Sequence, residues 1–352
     1  MERLAMGVQK TVFVTGGTGF VGGHLIAALL QRGDRVLALT RENSNRSQTS
    51  GMPVEWVTGD LLDPSTYAQS LRGCDTVFHC AADYRLFSRN TSVLYRTNVE
   101  GTRGLLQACQ EYEIPKIVYT SSVAALAVPA PGRVSTEQDR TRLERVVGHY
   151  KRSKFLAQEV ALEFASNGVP VTIVNPSTPI GPGDIKPTAT GKIIVDFLSG
   201  KMPAYLDTGL NLVPVEDVAL GHLQAEALGK SGELYILGHL NMSLKEILEM
   251  LSSVTGLPAP KVQIPYGLAW SVGWLDTLVE GYVMGKQPQV PIEGVRMARK
   301  KMYFDFAKAR RELNFQPGSV RQALTRAVEW FCENGYAPSP PGRMRPPSEV
   351  AM

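Results

Sequence analysis

At 352 residues, with 43% hydrophobic side chains and a net charge of only +4, the chain is long enough to bury a full core and a second lobe, and too weakly basic for a nucleic-acid surface. No stretch is apolar enough to span a bilayer, and the opening MERLAMGVQK lacks the apolar run and cleavage site of a signal peptide, so a cytoplasmic location is expected. The four cysteines, Cys74, Cys80, Cys109 and Cys332, form no CxxC pair, so reduced thiols are expected rather than a disulfide framework or a metal site.

The first expected element is a strand over Thr11 to Thr15 (TVFVT), a β-branched run. Glycines follow at once: Gly16, Gly19 and Gly22 in GGTGFVG give a GxxGxxG spacing, and residues 20–32 then carry apolar side chains at helical spacing. Strand, glycine turn and helix let the backbone approach a pyrophosphate closely while the helix N–H groups face the anion. Gly16, Thr18, Gly19, Phe20, Val21 and Gly22 are therefore candidate dinucleotide contacts.

A second strand is expected over Val36 to Leu39. In NAD sites a carboxylate at the end of this strand binds the ribose, but here Thr40 stands there and Arg41 follows. With no acid to repel a phosphate and a guanidinium to bind it, the site favours NADP over NAD, unless Arg41 is an ordinary surface residue. A third strand over Val54 to Val57 leads to Asp60, which can accept from the adenine amino group while Leu61 packs nearby; alone, such an aspartate more often caps a helix. After a fourth strand, Thr76 to His79, the small residues Cys80, Ala81 and Ala82 stand where the cofactor would cross. His79 reads as a hydrogen-bonded core residue rather than a metal ligand.

Leu94 to Tyr112 predicts a helix, and the strand Ile117 to Thr120 ends in Thr120-Ser121-Ser122. A serine hydroxyl at such an end faces the ligand crevice and can donate to a substrate oxygen during hydride transfer, although either serine could instead cap a turn. The helix expected over Tyr150 to Asn167 opens with Tyr150 and Lys154, four apart and on one face. Two unit charges about 4 Å apart interact by roughly 4 kcal/mol at an effective dielectric of about 20, or about three pKa units. Lys154 is thus expected to bring the Tyr150 phenol toward neutral pH and to hold the nicotinamide ribose.

With a further strand over Val171 to Val174, the alternation requires an α/β fold: a doubly wound parallel Rossmann sheet. The pattern breaks at Pro176, Pro179, Pro182 and Pro187; Leu212 to Val218 and Leu234 to Leu237 read as strands returning to the sheet. The expected dinucleotide domain is 9–178 plus 212–239, the smaller, mostly helical substrate lobe 179–211 plus 240–336, and a disordered proline-rich tail 337–352. Within the lobe, Tyr266 to Met284 carries Trp270 and Trp274 with few charges. It is expected to pack the lobe or a homodimer interface, with peripheral membrane contact or a bulky apolar substrate as the alternative.

GGTGFVG, GDLLD, TNVEGT (Thr97 to Thr102), YTSS and YKRSK, in this order from about Thr11 to Tyr336, resemble the motifs of extended short-chain dehydrogenases, the NAD-dependent epimerase/dehydratase superfamily. AADYRLF, GHYKRSKFLAQE, VNPSTPIGPGDIKPT, GKIIVDFLSGKMPAY and DTGLNLVPVEDVALGH are similar to the hopanoid-associated sugar epimerases, near relatives of dihydroflavonol 4-reductases. The resemblance implies Ser122 as catalytic serine, Tyr150 as acid or base with Lys154, Asn98 as an ordering residue, and Pro176 and Ser177 beside the nicotinamide. Asn211 stands about where many nucleotide-sugar epimerases carry an arginine that grips a diphosphate.

The implied function is an NAD(P)-dependent oxidoreductase that reduces a carbonyl or epimerises a sugar-like substrate through a transient ketone, in hopanoid lipid metabolism. A dihydroflavonol-reductase-like or sterol-dehydrogenase-like NADPH reductase is the alternative. A non-catalytic dinucleotide-binding scaffold is disfavoured, because Tyr150 and Lys154 are both present. The expected partner is a small molecule (sugar-like, polyol or ketone), with no nucleic acid and no metal.

Overall fold

The computed structural model describes residues 9–85, 89–128, 132–284, 286 and 292–340. Its first half is built from β1 (Thr11–Thr15), α1 (Phe20–Arg32), β2 (Arg35–Thr40), β3 (Glu55–Thr58) and β4 (Thr76–His79). Then come α2 (Ser92–Tyr95), a π-helical stretch (Arg96–Glu100), α3 (Gly101–Glu111), β5 (Ile117–Thr120), α4 (His149–Ser166) and β6 (Val171–Pro176). The second half adds β7 (Thr178–Ile180), α5 (Ala189–Leu198), β8 (Ala204–Tyr205), β9 (Gly209–Pro214), α6 (Val215–Leu228), β10 (Leu234–Leu237) and β11 (Leu240–Ser243). It closes with α7 (Leu244–Thr255), β12 (Val262–Gln263), α8 (Tyr266–Asp276), α9 (Ile292–Ala298), α10 (Ala307–Glu312) and α11 (Val320–Glu333).

Seven parallel strands form one sheet in the order β10-β6-β5-β4-β1-β2-β3. Helices cover both faces, so β4, β6 and β10 are buried along their whole length and read as continuous apolar runs rather than as alternation. Leu25, Ile26 and Leu29 of α1 pack with Val12 and Val14 on one face; Leu105 and Leu106 of α3 and Ala157 and Ala161 of α4 pack with Phe13 and Val77 on the other. Each fully buried leucine or isoleucine contributes about 1.5–3 kcal/mol. Strand order reverses between β1 and β4, which opens the crevice where such sheets bind ligands.

β10 returns to the sheet beside β6, as expected. The segment Leu212 to Val218 does not. β9 ends at Pro214 and pairs with β7 and β11 in a separate three-stranded sheet, and Val215 opens α6. The residues explain it: Pro214 presets an N-terminal backbone angle, and Glu216 and Asp217 in the first turn complement the positive end of the helix. A third core joins α5, α7 and α11 with Leu212 and Met242, and Ala337 packs against it. Residues 341–352 of the expected tail lie outside the described residues. No helix among the described residues is long and apolar enough to cross a membrane.

Candidate active site

The turn from β1 to α1 demands glycine for two separate reasons. Gly16 has φ +73, and a Cβ there would stand 2.6 Å from the Ala81 backbone nitrogen; a Cβ on Gly22 would stand 2.2 Å from the Gly16 carbonyl oxygen. Both glycines let β1, α1 and the end of β4 close together. Gly19 differs: it is exposed, its backbone is extended, and an added Cβ would meet only the Gly16 carbonyl, at 3.2 Å. Gly19 starts α1 with no side-chain cap and no acid in the first turn, so the N–H groups of this helix end face the crevice uncapped. Thr18, Phe20 and Val21 surround that helix start, half-buried.

Thr40 is buried at the end of β2, and Arg41 beyond it is exposed. Asp60, two residues past the end of β3, accepts from the Leu62 N–H at 3.0 Å, so one carboxylate oxygen braces its own turn. Leu61 is buried in the core, where its side chain fills the space a Cβ on Gly101 would need. The small residues Cys80, Ala81 and Ala82 are half-buried at the end of β4. His79 is fully buried, with Nδ1 2.7 Å from Thr15 Oγ1 and Nε2 2.9 Å from Thr102 Oγ1. Burial, with Lys154 nearby, holds its pKa at about 3, so the ring is neutral. Among the described residues no three His, Cys, Asp or Glu side chains converge to hold a metal ion.

The two candidate serines part company at the end of β5. Ser121 is buried and donates to Gln158 Oε1 at 2.8 Å; that oxygen also accepts from Asn175 Nδ2 at 2.7 Å. Ser122 is only half-buried, and its Oγ accepts from the Ala124 N–H at 3.1 Å. A turn-capping oxygen keeps its proton to donate elsewhere.

Tyr150 lies in the first turn of α4, after Gly148, whose φ of +90 makes the sharp approach to the helix. Burial raises the Tyr150 pKa, and a hydrogen bond with Ser122 opposes the rise. Lys154, one turn on, donates to the Thr120 carbonyl at 2.8 Å and to Tyr119 Oη at 3.4 Å, with its ammonium 5.1 Å from the Tyr119 ring centre. Here the structure corrects the expected electrostatics: the ammonium is committed to the end of β5, and Ser122 is the group that draws the phenol down. Burial in turn lowers Lys154 to about 8, with Cys80 opposing.

Asn98 sits buried in the π-helical stretch, a distortion frequent at functional sites. It binds Asp83 and Ser153 and so ties the loop after β4 to α4. Pro176 ends β6, and the neighbouring Ser177 Oγ is buried with no hydrogen-bond partner. A buried hydroxyl left unpaired is costly unless a ligand completes it. Asn211 is fully buried and structural: Nδ2 donates to Asn241 Oδ1 at 2.7 Å and to the Phe304 carbonyl at 3.2 Å, and Oδ1 accepts from His239 N–H at 2.9 Å.

Sequence reasoning missed two features of the cleft. Tyr84, in the AADYRLF segment just beyond β4, donates to the Lys186 carbonyl at 3.3 Å. Burial raises its pKa, with further contributions from Asp184, Asp83 and Tyr150. A tyrosine five residues past a crevice-facing strand was the available signal. The second feature is Thr120, whose Oγ1 lies 2.9 Å from His222 Nε2. His222 Nδ1 donates to the Val218 carbonyl at 2.7 Å, which makes Nε2 the acceptor and Thr120 the donor. Only the folded chain brings those two together.

The sequence matches the family described as NAD dependent epimerase/dehydratase over residues 12–238. A Synechocystis protein named "Putative dihydroflavonol 4-reductase" is 48% identical over 328 residues, covering 92% of this chain and 95% of that one. Sterol demethylase protein B of Methylococcus capsulatus is 32% identical over 326 residues, covering 92% and 99%. The solved structure of a nucleoside-diphosphate-sugar epimerase from Pseudomonas aeruginosa superposes with a TM-score of 0.78 at 26% identity, covering 93% of this chain and 99% of the other.

Proposed function

The chain belongs to the NAD dependent epimerase/dehydratase family, and from that membership we propose that it carries out a single hydride transfer between NADP and a carbonyl or carbinol carbon of a small organic substrate. What supports this reading is Ser122, at the end of β5, acting on the Tyr150 phenol, with Lys154 one turn further along α4 and bonded to the Thr120 carbonyl of the same strand end. The cofactor fits the residues present: the uncapped start of α1 suits a pyrophosphate, and the unpaired Ser177 hydroxyl suits a nicotinamide amide. When bound, the dinucleotide supplies or accepts the hydride.

The chain's own residues do the rest. Tyr150 gives its proton to the developing alkoxide in reduction, and Ser122 donates a hydrogen bond to the same oxygen. Lys154 takes the ribose hydroxyls and supplies positive charge at the site. Gly16, Gly19, Gly22, Thr18, Phe20 and Val21 border the pyrophosphate, Asp60 offers its second carboxylate oxygen to the adenine, and Cys80, Ala81 and Ala82 leave room for the backbone of the cofactor. Arg41, with no acid at the end of β2, favours a 2′-phosphate and therefore NADP.

The substrate reading rests on Asn211. An amide locked into the β9–β11 pairing cannot grip a diphosphate, which supports a ketone or polyol without a nucleotide handle. The names of the two relatives fit a ring ketone, and the resemblance to hopanoid-associated enzymes supports a substrate in that lipid metabolism. The likeness to a nucleoside-diphosphate-sugar epimerase favours a second reading, in which hydride returns to the opposite face. Purified protein with NADPH should oxidise the cofactor stoichiometrically with a member of a ketone panel and leave nucleotide sugars unchanged. Inversion of a nucleotide sugar without net cofactor change would overturn the proposal.

A further inference from the structure

α8 and the π-helical stretch that continues it (Thr277–Val283) carry their large apolar side chains on the outside. The face turned toward the protein is Ala269, Gly273 and Thr277, small, buried and four residues apart. Leu268, Trp270, Trp274, Leu275, Tyr282 and Val283 are between 41% and 74% exposed. Single exposed apolar residues are ordinary, but a run that covers every turn of an element marks a surface made to be covered.

Charge decides what covers it. Residues 261–301 hold six Lys and Arg against three Asp and Glu, three of the four net positive charges of the chain. Lys261, Lys286, Arg296, Arg299 and Lys300 are exposed, whereas Asp276, Glu280 and Glu293 are partly buried. Lys301 is paired with Asp207 at 2.9 Å, and Arg299 lies 5.8 Å from the Tyr266 ring centre. Tryptophan and tyrosine among aliphatic side chains, in a segment whose lysines and arginines are exposed, match the interface of an anionic bilayer. A second copy docked on the same face would bring together two segments of net positive charge.

The surface is fixed to the catalytic end of the molecule. The Ile292 N–H donates to Thr277 Oγ1 at 2.9 Å, which ties α9 to the apolar segment. Glu293 of α9 reaches to 3.0 Å of where a Cβ on Gly148 would stand, two residues before Tyr150. Arg89 Nη2 donates to the Tyr282 carbonyl at 2.6 Å. We propose that α8 and its continuation dock the protein on an anionic phospholipid bilayer, with the Tyr150 end of the cleft beside the lipid. The docking goes beyond the catalytic reading and stands without it.

Co-sedimentation of the full chain with vesicles tests it. We expect binding to phosphatidylcholine vesicles containing phosphatidylglycerol and at least about tenfold weaker binding to phosphatidylcholine alone. Trp270→Ala with Trp274→Ala should abolish binding, and Lys261→Glu with Lys300→Glu should weaken it by about tenfold or more while leaving the circular dichroism and NADPH binding unchanged. Brominated lipid should quench tryptophan emission in the parent and in no variant that fails to bind. If the tryptophan pair unfolds, the charge pair and the quenching decide. Absence of parent binding to anionic vesicles overturns the proposal, as does a dimer that the tryptophan pair dissociates in a protein that ignores vesicles.

Discussion

Asn98 holds both backbone polar groups of Asp83: its Oδ1 accepts from the Asp83 N–H at 2.7 Å, and its Nδ2 donates to the Asp83 carbonyl at 2.9 Å. The same Nδ2 donates to Ser153 Oγ at 2.8 Å, and Ser153 donates to the Tyr150 carbonyl at 2.8 Å. One buried amide thus fixes the loop that carries Tyr84 against the first turn of α4. Replacing Asn98 with alanine should leave these groups unpaired, cost about 1–3 kcal/mol of stability and lower kcat by up to about 100-fold through misplacement of Tyr150. Asn98→Asp keeps the acceptor for Asp83 and should recover part of kcat with KM little changed. Equal loss in the two variants would count against a positioning role.

Tyr150→Phe should lower turnover by about 10²–10⁴-fold and leave dinucleotide affinity within a few-fold, measured by fluorescence titration. Undiminished turnover would remove Tyr150 from the chemistry.

Lys154 sets a pH limb. Burial lowers its pKa to about 8, so its charge is present below that value and lost as pH rises through it. Reductive kcat/KM should therefore fall above about pH 8. Lys154→Arg, which stays charged, should show lower activity and no such limb up to about pH 10. A limb that stays in place assigns it to another group.

Arg41→Glu puts a carboxylate in place of the guanidinium, one residue past the strand-end position that carries the acid in NAD sites, and should shift the preference toward NADH by about tenfold or more, since one charge-assisted contact is replaced by repulsion. Unchanged cofactor preference would make Arg41 a surface residue.

Stability at low pH should report on Glu226. Burial pushes its pKa up, but hydrogen bonds from Arg32, Thr76 and Lys10 pull it down further, to a net value below the ordinary carboxylate. A depressed folded pKa adds stability above the unfolded value of about 4.3 and loses it as pH falls through the folded one. Glu226→Gln should cost about 1–3 kcal/mol at pH 7, and the cost should shrink below about pH 4 in urea titrations. A pH-independent difference would contradict this.

Much of the fold was legible because period and punctuation agree with topology. TVFVT followed by GGTGFVG gives a strand, a turn and a helix that no other local arrangement satisfies, and α1 occupies Phe20–Arg32 as its apolar spacing requires. Leu212 to Val218 misled, because a short apolar run between turn signals does not reveal which sheet it will join or that Pro214 ends it. At the site, Tyr150 and Lys154 are local and readable. The Asn98 clamp, the Thr120–His222 bond and the commitment of Lys154 to Thr120 join residues from 15 to 102 positions apart in the chain, so spacing alone is silent about them.

The most direct test of the central claim uses NADPH deuterated at its transferring position, with the ketone that supports turnover. A one-way hydride transfer from NADPH predicts one deuterium in each alcohol formed and one NADP released for each turnover. A product inverted at carbon with no net NADPH consumed would contradict it.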